Sequence, residues 1–155
     1  NIILIKFKFV KYNLNIMKRK VVAVWNGDGV DGEGILSSVS GAFKNIPYSF
    51  KTRFKNDDGK LGTNPEELIA AALAGCFNMK LSFVLNESNF NPKELNTDAC
   101  LTFEDGAVKS IDLNLSAQIP SITEAEFLNF ANEAKENCPI SGALSCDINL
   151  EAKLS

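Results

Sequence analysis

The segment 63–83 reads TNPEELIAAALAGCFNMKLSF and predicts a long helix with a single cysteine, Cys76, among apolar side chains. Thr63 or Asn64 can accept a hydrogen bond from a free amide at its start, and Pro65 suits the first helical position. Apolar residues recur at steps of three and four, so we expect one core-facing stripe that includes the cysteine. Its members are Leu68, Ile69, Ala72, Cys76, Met79 and Phe83.

Strand patterns lie on both sides of this helix. Short apolar runs at 21–25, 34–39 and 48–54 precede it, and longer alternating runs follow at 95–103, 108–119 and 146–154. Strands and helices are segregated rather than regularly interleaved, so the pattern predicts an α+β fold rather than a doubly wound sheet.

Three local signals connect these elements. Asp105-Gly106 is typical of a hairpin turn, and Thr123 with Glu126 forms a capping box that predicts a helix to about Asn137. The stretch NGDGVDGEG at 26–34 does not spell the spacing of a dinucleotide-binding loop, and no helical pattern follows it. We therefore expect a hairpin connection there.

The residues 1–16 differ from the rest of the chain. The run NIILIKFKFVKYNLNI alternates apolar and lysine residues, unlike the unbroken apolar core of a signal peptide. We expect an N-terminal extension, non-native or an added edge strand, followed by a single domain over 17–155.

Composition excludes several classes of function. The chain of 155 residues is long enough for one well-cored domain, and its net charge of -3 gives no attraction to nucleic acid or to anionic membranes. No apolar run in the sequence approaches the roughly 20 residues needed to span a bilayer. We expect a cytoplasmic protein. The absence of histidine removes Cys-His catalysis and histidine metal sites.

The four cysteines separate by context. Cys146 alternates with apolar residues and Cys100 lies in an ordinary strand, so both are expected to be structural. No pair has CxxC spacing, which argues against a zinc ribbon or thioredoxin-type motif. Cys138 directly precedes Pro139; if Pro139 opens a short helix, Cys138 occupies the cap, where backbone amides stabilise a thiolate. The residues alone leave packing and redox roles open for Cys76 and Cys138.

Three motifs resemble the OsmC/Ohr family, the osmotically inducible protein C and organic hydroperoxide resistance proteins. They are PYSFKTRF at 47–54, GTNPEELIAAALAGCFNM at 62–79, and CPIS followed by AL at 138–144. The resemblance extends over about 20–154 and is nearer the OsmC branch. It implies a thiol-dependent peroxidase in oxidative or osmotic stress defence. It also implies an intertwined homodimer with antiparallel sheets wrapped around central helices.

The resemblance also implies roles for particular residues. Cys76 resembles the peroxidatic cysteine and Cys138 the resolving cysteine, while Arg53 resembles the arginine that contacts the thiolate and Glu66 the carboxylate that holds it. Leu73 departs from the pattern, since other members often carry histidine there, outside the reaction. We expect an apolar substrate pocket lined by Leu68, Ala72, Phe77 and Met79.

The implied chemistry uses a sulfenic acid on Cys76, a disulfide to Cys138 and an external dithiol, such as a lipoyl group or another small dithiol. It requires no metal or bound cofactor. A lower pKa of Cys76 would increase the reaction rate only slightly, because the nucleophilicity of the thiolate falls as the thiolate fraction rises. We therefore expect Arg53 to contribute by orienting the peroxide. Glu66 and Cys76 are ten positions apart, about 15 Å along one helix, which favours an Arg53–Glu66 pair acting across a two-fold dimer.

Two other functions remain open from the sequence. The apolar residues around Cys76 could hold a lipid or another small molecule without catalysis. The chain could also be a structural stress protein whose dimer core contains cysteines. Neither alternative uses the cysteine-proline motif or Arg53.

Overall fold

The computed structural model describes residues 16–55 and 62–155. The chain divides into two compact units, Asn1–Gly62 and Thr63–Ser155. The expected N-terminal extension lies outside the described residues except for Ile16, which is exposed. The division into an extension and one domain over 17–155 therefore stays a prediction.

The first unit contains a three-stranded antiparallel sheet. Its strands, in sheet order, are β1 (Val21–Asn26), β2 (Glu33–Ser38) and β3 (Ile46–Ser49). The glycine-rich stretch connects β1 to β2 as a hairpin, as predicted, and the Asp28 carboxylate accepts bonds from the Val30 and Asp31 amides, both at 2.8 Å. Asx turns of this kind explain why such residues end strands.

The prediction of a strand over 48–54 is wrong beyond Ser49. The chain turns there into a short helix, α1 (Phe50–Phe54). The Ser49 hydroxyl accepts the Thr52 amide at 3.1 Å, and the Thr52 hydroxyl accepts the Ser49 amide at 2.7 Å. This reciprocal cap provides hydrogen-bond partners for two backbone amides, which in a strand would have had to bond to a neighbouring strand. The apolar content that predicted a strand does not reveal such a cap.

The second unit builds a sheet against two helices. Its elements are α2 (Pro65–Glu87), β4 (Glu94–Glu104), β5 (Ala107–Gln118), α3 (Glu124–Glu136), a 3-10 helix (Ser141–Ala143) and β6 (Asp147–Leu154). Asn64 caps α2 by accepting the Glu67 amide at 2.8 Å. The predicted turn at Asp105-Gly106 joins β4 to β5, with φ of 51° and 77°, and the predicted capping box of α3 is present. The two sheets and the helices confirm the α+β class.

The second sheet is mixed rather than antiparallel. Its order is β4-β5-β6, and β6 pairs parallel to β5, with Ile111 opposite Ile148 and Leu113 opposite Leu150. A parallel pair requires a crossover, and α3 with the segment after it forms that connection. The expectation of purely antiparallel sheets is corrected on this point.

The core of the second unit lies between its sheet, α2 and α3. The inward side chains of β5 and the buried faces of both helices form it: Leu73, Phe77, Leu81, Leu85, Ile111, Leu113, Leu115, Ala117, Phe127, Ala131, Ala134 and Cys138. The fully buried residues of α2 are therefore different from those of the predicted stripe. Of that stripe, Ala72, Met79 and Phe83 are exposed. The stripe was placed wrongly because α2 is apolar on both sides, so spacing alone cannot choose the buried face.

Helix α2 is also the one described helix that is long and apolar enough to cross a membrane by length and composition. This differs from the expectation that no apolar run is long enough, because Lys80 is the sole charge between Glu67 and Glu87. The core helix of a soluble protein passes the same test, and α2 contributes Leu73, Phe77 and Leu81 to the core.

Candidate functional site

Cys76 and Cys138 come together where α2 passes the end of α3. Cys76 lies near the middle of α2, half-buried at the edge of the core. Cys138 follows Asn137, the C-terminal cap of α3, and is 1% exposed. The two thiols are free and lie close enough for each to shift the pKa of the other. The structure therefore brings together two cysteines that lie 62 positions apart in the sequence.

The turn after Cys138 directs backbone amides at its sulfur. The Gly142 amide donates to the Cys138 carbonyl at 3.0 Å, and the Ala143 amide donates to the Ile140 carbonyl at 3.1 Å. In this tight turn the amides of Ile140 and Ser141 lie close enough to the Cys138 sulfur to lower the pKa of its thiol. The expectation that Cys138 caps a helix opened by Pro139 is wrong, because the 3-10 helix begins two residues after Pro139, at Ser141. Amide stabilisation of the sulfur is nevertheless present.

These contacts set the charge on Cys138. Burial raises the pKa of its thiol, but the neighbouring Ser141 amide, Cys76 thiol, Ser141 hydroxyl and Ile140 amide together outweigh burial and lower it. Hydrogen bonds to an ionised group favour the ionised form. The turn therefore favours a thiolate at Cys138.

The pKa of Cys76 moves in the opposite direction. Burial raises it, and the hydrogen bond to Cys138 raises it further, while the Ile140 amide lowers it. Within this unit the surroundings therefore favour negative charge on the Cys138 sulfur over the Cys76 sulfur. Cys76 and Cys138 titrate as a pair, because the charge on each sulfur shifts the pKa of the other.

Ser141 is a functional candidate that the sequence reasoning missed. Its hydroxyl oxygen is buried and meets no partner with hydrogen-bond geometry among the described residues. It is still close enough to the Cys138 sulfur to lower the pKa of that thiol. The signal in the sequence is its place in CPIS, three residues after the cysteine.

The other predicted catalytic residues lie outside this thiol pair. Glu66 is half-buried in the first turn of α2, ten positions before Cys76. Arg53 belongs to α1 in the first unit, where its guanidinium lies 4.9 Å from the centre of the Phe54 ring. Their roles stay predictions.

The residues predicted to line a substrate pocket do not share one face of α2. Phe77 is fully buried in the core, whereas Met79 is 59% exposed and Ala72 is also exposed. Leu68 is half-buried. Phe77 is thus directed at the sheet, and the exposed apolar surface at one side of Cys76 consists of Ala72, Met79 and Phe83.

The two remaining cysteines lie away from the thiol pair. Cys100 is exposed on β4 opposite Asp112, and Cys146 is half-buried and packs against the core just before β6. In the described ranges 16–55 and 62–155, no group of three or more cysteine or carboxylate side chains is placed to hold a metal ion.

Comparison with known proteins gives a consistent set of relatives. Residues 55–153 match the family model described as OsmC-like protein. The chain is 39% identical over 140 residues to peroxiredoxin OsmC of Escherichia coli K12, covering 88% of this chain and 96% of that protein.

Solved structures share the fold. An OsmC-like protein from Mycoplasma pneumoniae superposes with a TM-score of 0.71 at 18% identity, over 90% of this chain and 99% of that one. The organic hydroperoxide resistance protein OhrB of Bacillus subtilis superposes with a TM-score of 0.64 at 26% identity, over 91% of this chain and 100% of that one.

Proposed function

The chain belongs to the OsmC-like protein family, and from that premise we propose that it is a thiol-dependent peroxidase that reduces organic hydroperoxides to alcohols. Its relatives are named peroxiredoxin OsmC and organic hydroperoxide resistance protein, which supports a peroxidase-type role. The role in the cell that fits these names is defence against oxidative or osmotic stress, in the cytoplasm.

The contact between Cys76 and Cys138 carries the proposal. A peroxidase that forms an intramolecular disulfide needs one sulfur that meets peroxide and a second sulfur within bonding reach. Cys76 is half-buried and Cys138 is 1% exposed, and the two thiols lie close enough for each to shift the pKa of the other. The more accessible sulfur is therefore assigned to peroxide and the enclosed one to resolution.

The proposed reaction has two steps. The Cys76 thiol passes its proton to the neighbouring Cys138 thiolate, and the Cys76 thiolate attacks the terminal peroxide oxygen. The O–O bond breaks, and the departing alkoxide takes that proton from Cys138 and leaves as alcohol, which returns Cys138 to its thiolate. Cys76 is then a sulfenic acid. The Cys138 thiolate attacks the Cys76 sulfur, the S–O bond breaks, and hydroxide leaves and is protonated to water. One disulfide has formed for each peroxide reduced.

An external dithiol completes the cycle by thiol–disulfide exchange. One of its thiolates attacks the Cys76–Cys138 disulfide, and its second thiol displaces the mixed disulfide, which returns both cysteines to thiols. A lipoyl group or another small dithiol suits this step. The proposed chemistry uses no metal or bound cofactor.

We propose that Arg53 stabilises the Cys76 thiolate, orients the peroxide and stabilises charge on the departing oxygen, while Glu66 orients Arg53. Because Glu66 and Cys76 are both in α2, they are separated by about 15 Å along the helix axis. A two-fold homodimer would bring the Glu66 end of one chain near Cys76 of the other. The exposed apolar surface of Ala72, Met79 and Phe83 supports such a dimer.

The same exposed apolar surface is what a protein that merely binds lipid or another small molecule would use. A steady-state assay separates the two functions. The reduced protein is given an alkyl hydroperoxide or hydrogen peroxide with a dithiol, and consumption of peroxide is followed. Turnover by the wild type that is lost in Cys76→Ser supports the peroxidase. Binding of a fatty acid without any turnover would show that the proposed function is wrong.

A further inference from the structure

Charge is divided unequally between the two units. The net charge of -3 predicted no attraction to anionic surfaces, but that value averages two opposite parts of the chain. Residues 16–55 of the first unit contain seven basic and three acidic side chains, a net charge of +4. Residues 63–155, the second unit, contain five basic and fourteen acidic side chains, a net charge of -9. The first unit can therefore attract an anionic partner despite the negative charge of the whole chain.

Four of the seven cations lie at one end of the first sheet. Val21, the first residue of β1, pairs with Ser38, the last residue of β2, and the Val39 amide donates to the Lys20 carbonyl at 3.2 Å. The chain before β1 and the turn after β2 therefore meet at this end. We call it the basic end and define it by its exposed cations and its exposed apolar residues: Lys18, Arg19, Lys20, Lys44, Ile16, Met17 and Val39.

The turn that contains Val39 and Lys44 is held by its own hydrogen bonds. The Ser38 amide donates to the Phe43 carbonyl at 3.0 Å, and the Ser38 hydroxyl accepts the Phe43 amide at 2.9 Å. Gly41, with φ of 80°, donates its amide to the Ser38 carbonyl at 3.1 Å. Because the turn is already ordered while Val39 is 74% exposed, a partner can bind there without first ordering the chain.

The cations of the basic end are available to an anionic partner. All four are exposed, and none of them forms an ion pair with a residue of 16–55 or 62–155. The acidic side chains within 16–55, Asp28, Asp31 and Glu33, lie at the opposite end of β1 and β2. The two ends are about 17 Å apart along the strands, whereas the Debye length at physiological salt is about 8 Å. The acidic residues therefore do not neutralise the basic end.

The basic end also contains the most exposed large apolar side chains of the described residues. Ile16 is 88% exposed, Val39 74% and Met17 71%. Met17 is three positions before Lys20, so it lies within about 10 Å of Lys20 even in an extended chain. Between residues of 18–21 and of 38–43 there is a groove of about 550 Å³. Apolar and cationic groups therefore share one surface.

This combination fits the surface of a bilayer that contains anionic lipids. Cations stay among the headgroups of such a surface, while neighbouring apolar side chains enter the boundary with the acyl chains. A nucleic acid duplex offers phosphate charge but no apolar layer in which exposed aliphatic side chains could be buried. The sequence before the basic end has the same character, since 1–15 contains three lysines among apolar residues and no acidic residue.

We propose that the basic end docks the protein on lipid bilayers that contain anionic lipids. Lys18, Lys20 and Lys44 contact the anionic headgroups, and Met17 and Val39 enter the interface. Docking is reversible, because it combines charge attraction with a small apolar contact. It goes beyond the peroxidase function proposed above and does not depend on it, since binding is measured without peroxide.

The test is co-sedimentation of the full chain with lipid vesicles. Vesicles of equimolar phosphatidylcholine and phosphatidylglycerol are compared with vesicles of phosphatidylcholine alone, at low and at physiological salt. One triple variant removes three lysines of the basic end: Lys18→Gln, Lys20→Gln and Lys44→Gln. The matched control removes three exposed lysines of the second unit: Lys93→Gln, Lys109→Gln and Lys153→Gln. Both variants have the same net charge, so a difference between them locates the contact.

The wild type and the control variant should bind the anionic vesicles but not the neutral ones, and binding should weaken as salt rises. A lysine near an anionic surface contributes an about fivefold gain in partitioning, so the basic-end variant should lose about a hundredfold. Met17→Ser with Val39→Ser should lose about tenfold, because less apolar surface is buried. Val30→Ser, 55% exposed before its substitution and at the opposite end of the sheet, should bind as the wild type does.

Other outcomes overturn the proposal. A wild type that does not bind anionic vesicles, or an equal loss in the two triple variants, would mean that the basic end is not a lipid contact. Competition by duplex DNA as strong as that by vesicles, with no effect of Met17→Ser and Val39→Ser, would identify a general polyanion site instead. A basic-end variant with an altered oligomeric state in size-exclusion chromatography would assign this end to a contact between copies of the chain. The melting temperature of each variant, expected to equal that of the wild type, checks that it folds.

Discussion

Cys76 and Cys138 lie close enough for each thiol to shift the pKa of the other, and they differ in exposure: Cys138 is 1% exposed and Cys76 is half-buried. This relationship is unsymmetrical in both charge and access. Neighbouring amide and hydroxyl groups lower the pKa of the buried Cys138 thiol, whereas partial burial raises the pKa of the more accessible Cys76 thiol. The first predictions follow from this asymmetry.

Replacement of the two cysteines should have different consequences. Cys76→Ser should abolish peroxide consumption, because no other sulfur is placed to form the first sulfenic acid. Cys138→Ser should allow one attack and then stop, with Cys76 left as a sulfenic acid or over-oxidised. Mass spectrometry of each variant after one equivalent of hydroperoxide distinguishes these products.

Cys100→Ser and Cys146→Ser are the matched controls for this experiment. Cys100 is exposed on the outer face of β4 and Cys146 packs beside the core, so both variants should retain turnover. A Cys138 variant that loses the first reaction, while Cys76→Ser keeps it, would show that the two roles are reversed.

Substrate preference should follow alkyl chain length. Met79 and Ala72 are exposed and lie three and four positions from Cys76 on α2, so an alkyl tail beside the sulfur can bury apolar surface. Each buried methylene contributes about 0.8 kcal/mol, or an about fourfold gain in kcat/KM. A series of linear alkyl hydroperoxides, compared with hydrogen peroxide, measures this gain. Equal efficiency for hydrogen peroxide and the longest member would contradict the apolar site.

Most of the second unit could be predicted from local signals. Asn64, Pro65 and the Thr123–Glu126 box each satisfy amides at a helix start, so they mark α2 and α3 independently of tertiary packing. Asp105-Gly106 marks the β4–β5 turn, because both residues adopt positive φ. These features depend on neighbours within four positions, which is why the sequence reveals them.

The features that the sequence did not reveal depend on long-range packing. The buried face of α2 could not be chosen because both faces are apolar, and the parallel pairing of β6 depends on the path of the crossover. Asn78, a polar residue inside α2, is explained by its contacts with β4, since its amide donates to the Leu95 carbonyl at 3.2 Å and accepts from Thr97 at 2.6 Å. The thiol contact was anticipated through family resemblance, whereas the place of Ser141 beside Cys138 depends on the turn that follows Cys138.

The capping box of α3 provides a test of stability. Thr123 accepts the Glu126 amide at 3.3 Å and donates to its carboxylate at 2.6 Å, so Thr123→Ala should lower the free energy of unfolding by about 1 kcal/mol. Thr123→Ser, which keeps the hydroxyl, should recover most of the loss. Urea denaturation of the three proteins checks this, and an Ala variant as stable as the wild type would show that the cap contributes nothing.

The loss of unfolding free energy in Thr123→Ala should also depend on pH. The Thr123 hydroxyl, and then its amide, lower the pKa of the Glu126 carboxyl by hydrogen bonding. A carboxyl with a lowered pKa in the folded state stabilises the fold above its unfolded pKa, and this contribution is lost as pH falls through the folded value. The difference between wild type and Thr123→Ala should therefore narrow from neutral pH to about pH 3. A difference that widens in acid would contradict the assignment.

The last prediction concerns the proposed dimer. If Arg53 and Glu66 of one chain act on Cys76 of the other, Cys76→Ser and Arg53→Ala chains should complement each other. Their mixed dimer would contain one site with both an intact cysteine and an intact arginine, whereas each mutant homodimer would have no complete site. Co-expressed chains carrying different affinity tags can be purified as the mixed dimer, and peroxidase activity is then measured.

The mixed dimer should recover up to about half of the wild-type activity, since one of its two sites is complete. Dilution below the dissociation constant of the dimer should remove that activity, because assembly depends on concentration. A double variant, Cys76→Ser with Arg53→Ala, paired with the wild type is the matched control. It leaves each site of the mixed dimer with one defect, so activity should be low. The reverse result, with an inactive complementing pair and a half-active control, would mean that Arg53 acts within its own chain. Arg53 would then have to span the distance of about 15 Å between Glu66 and Cys76 within one chain.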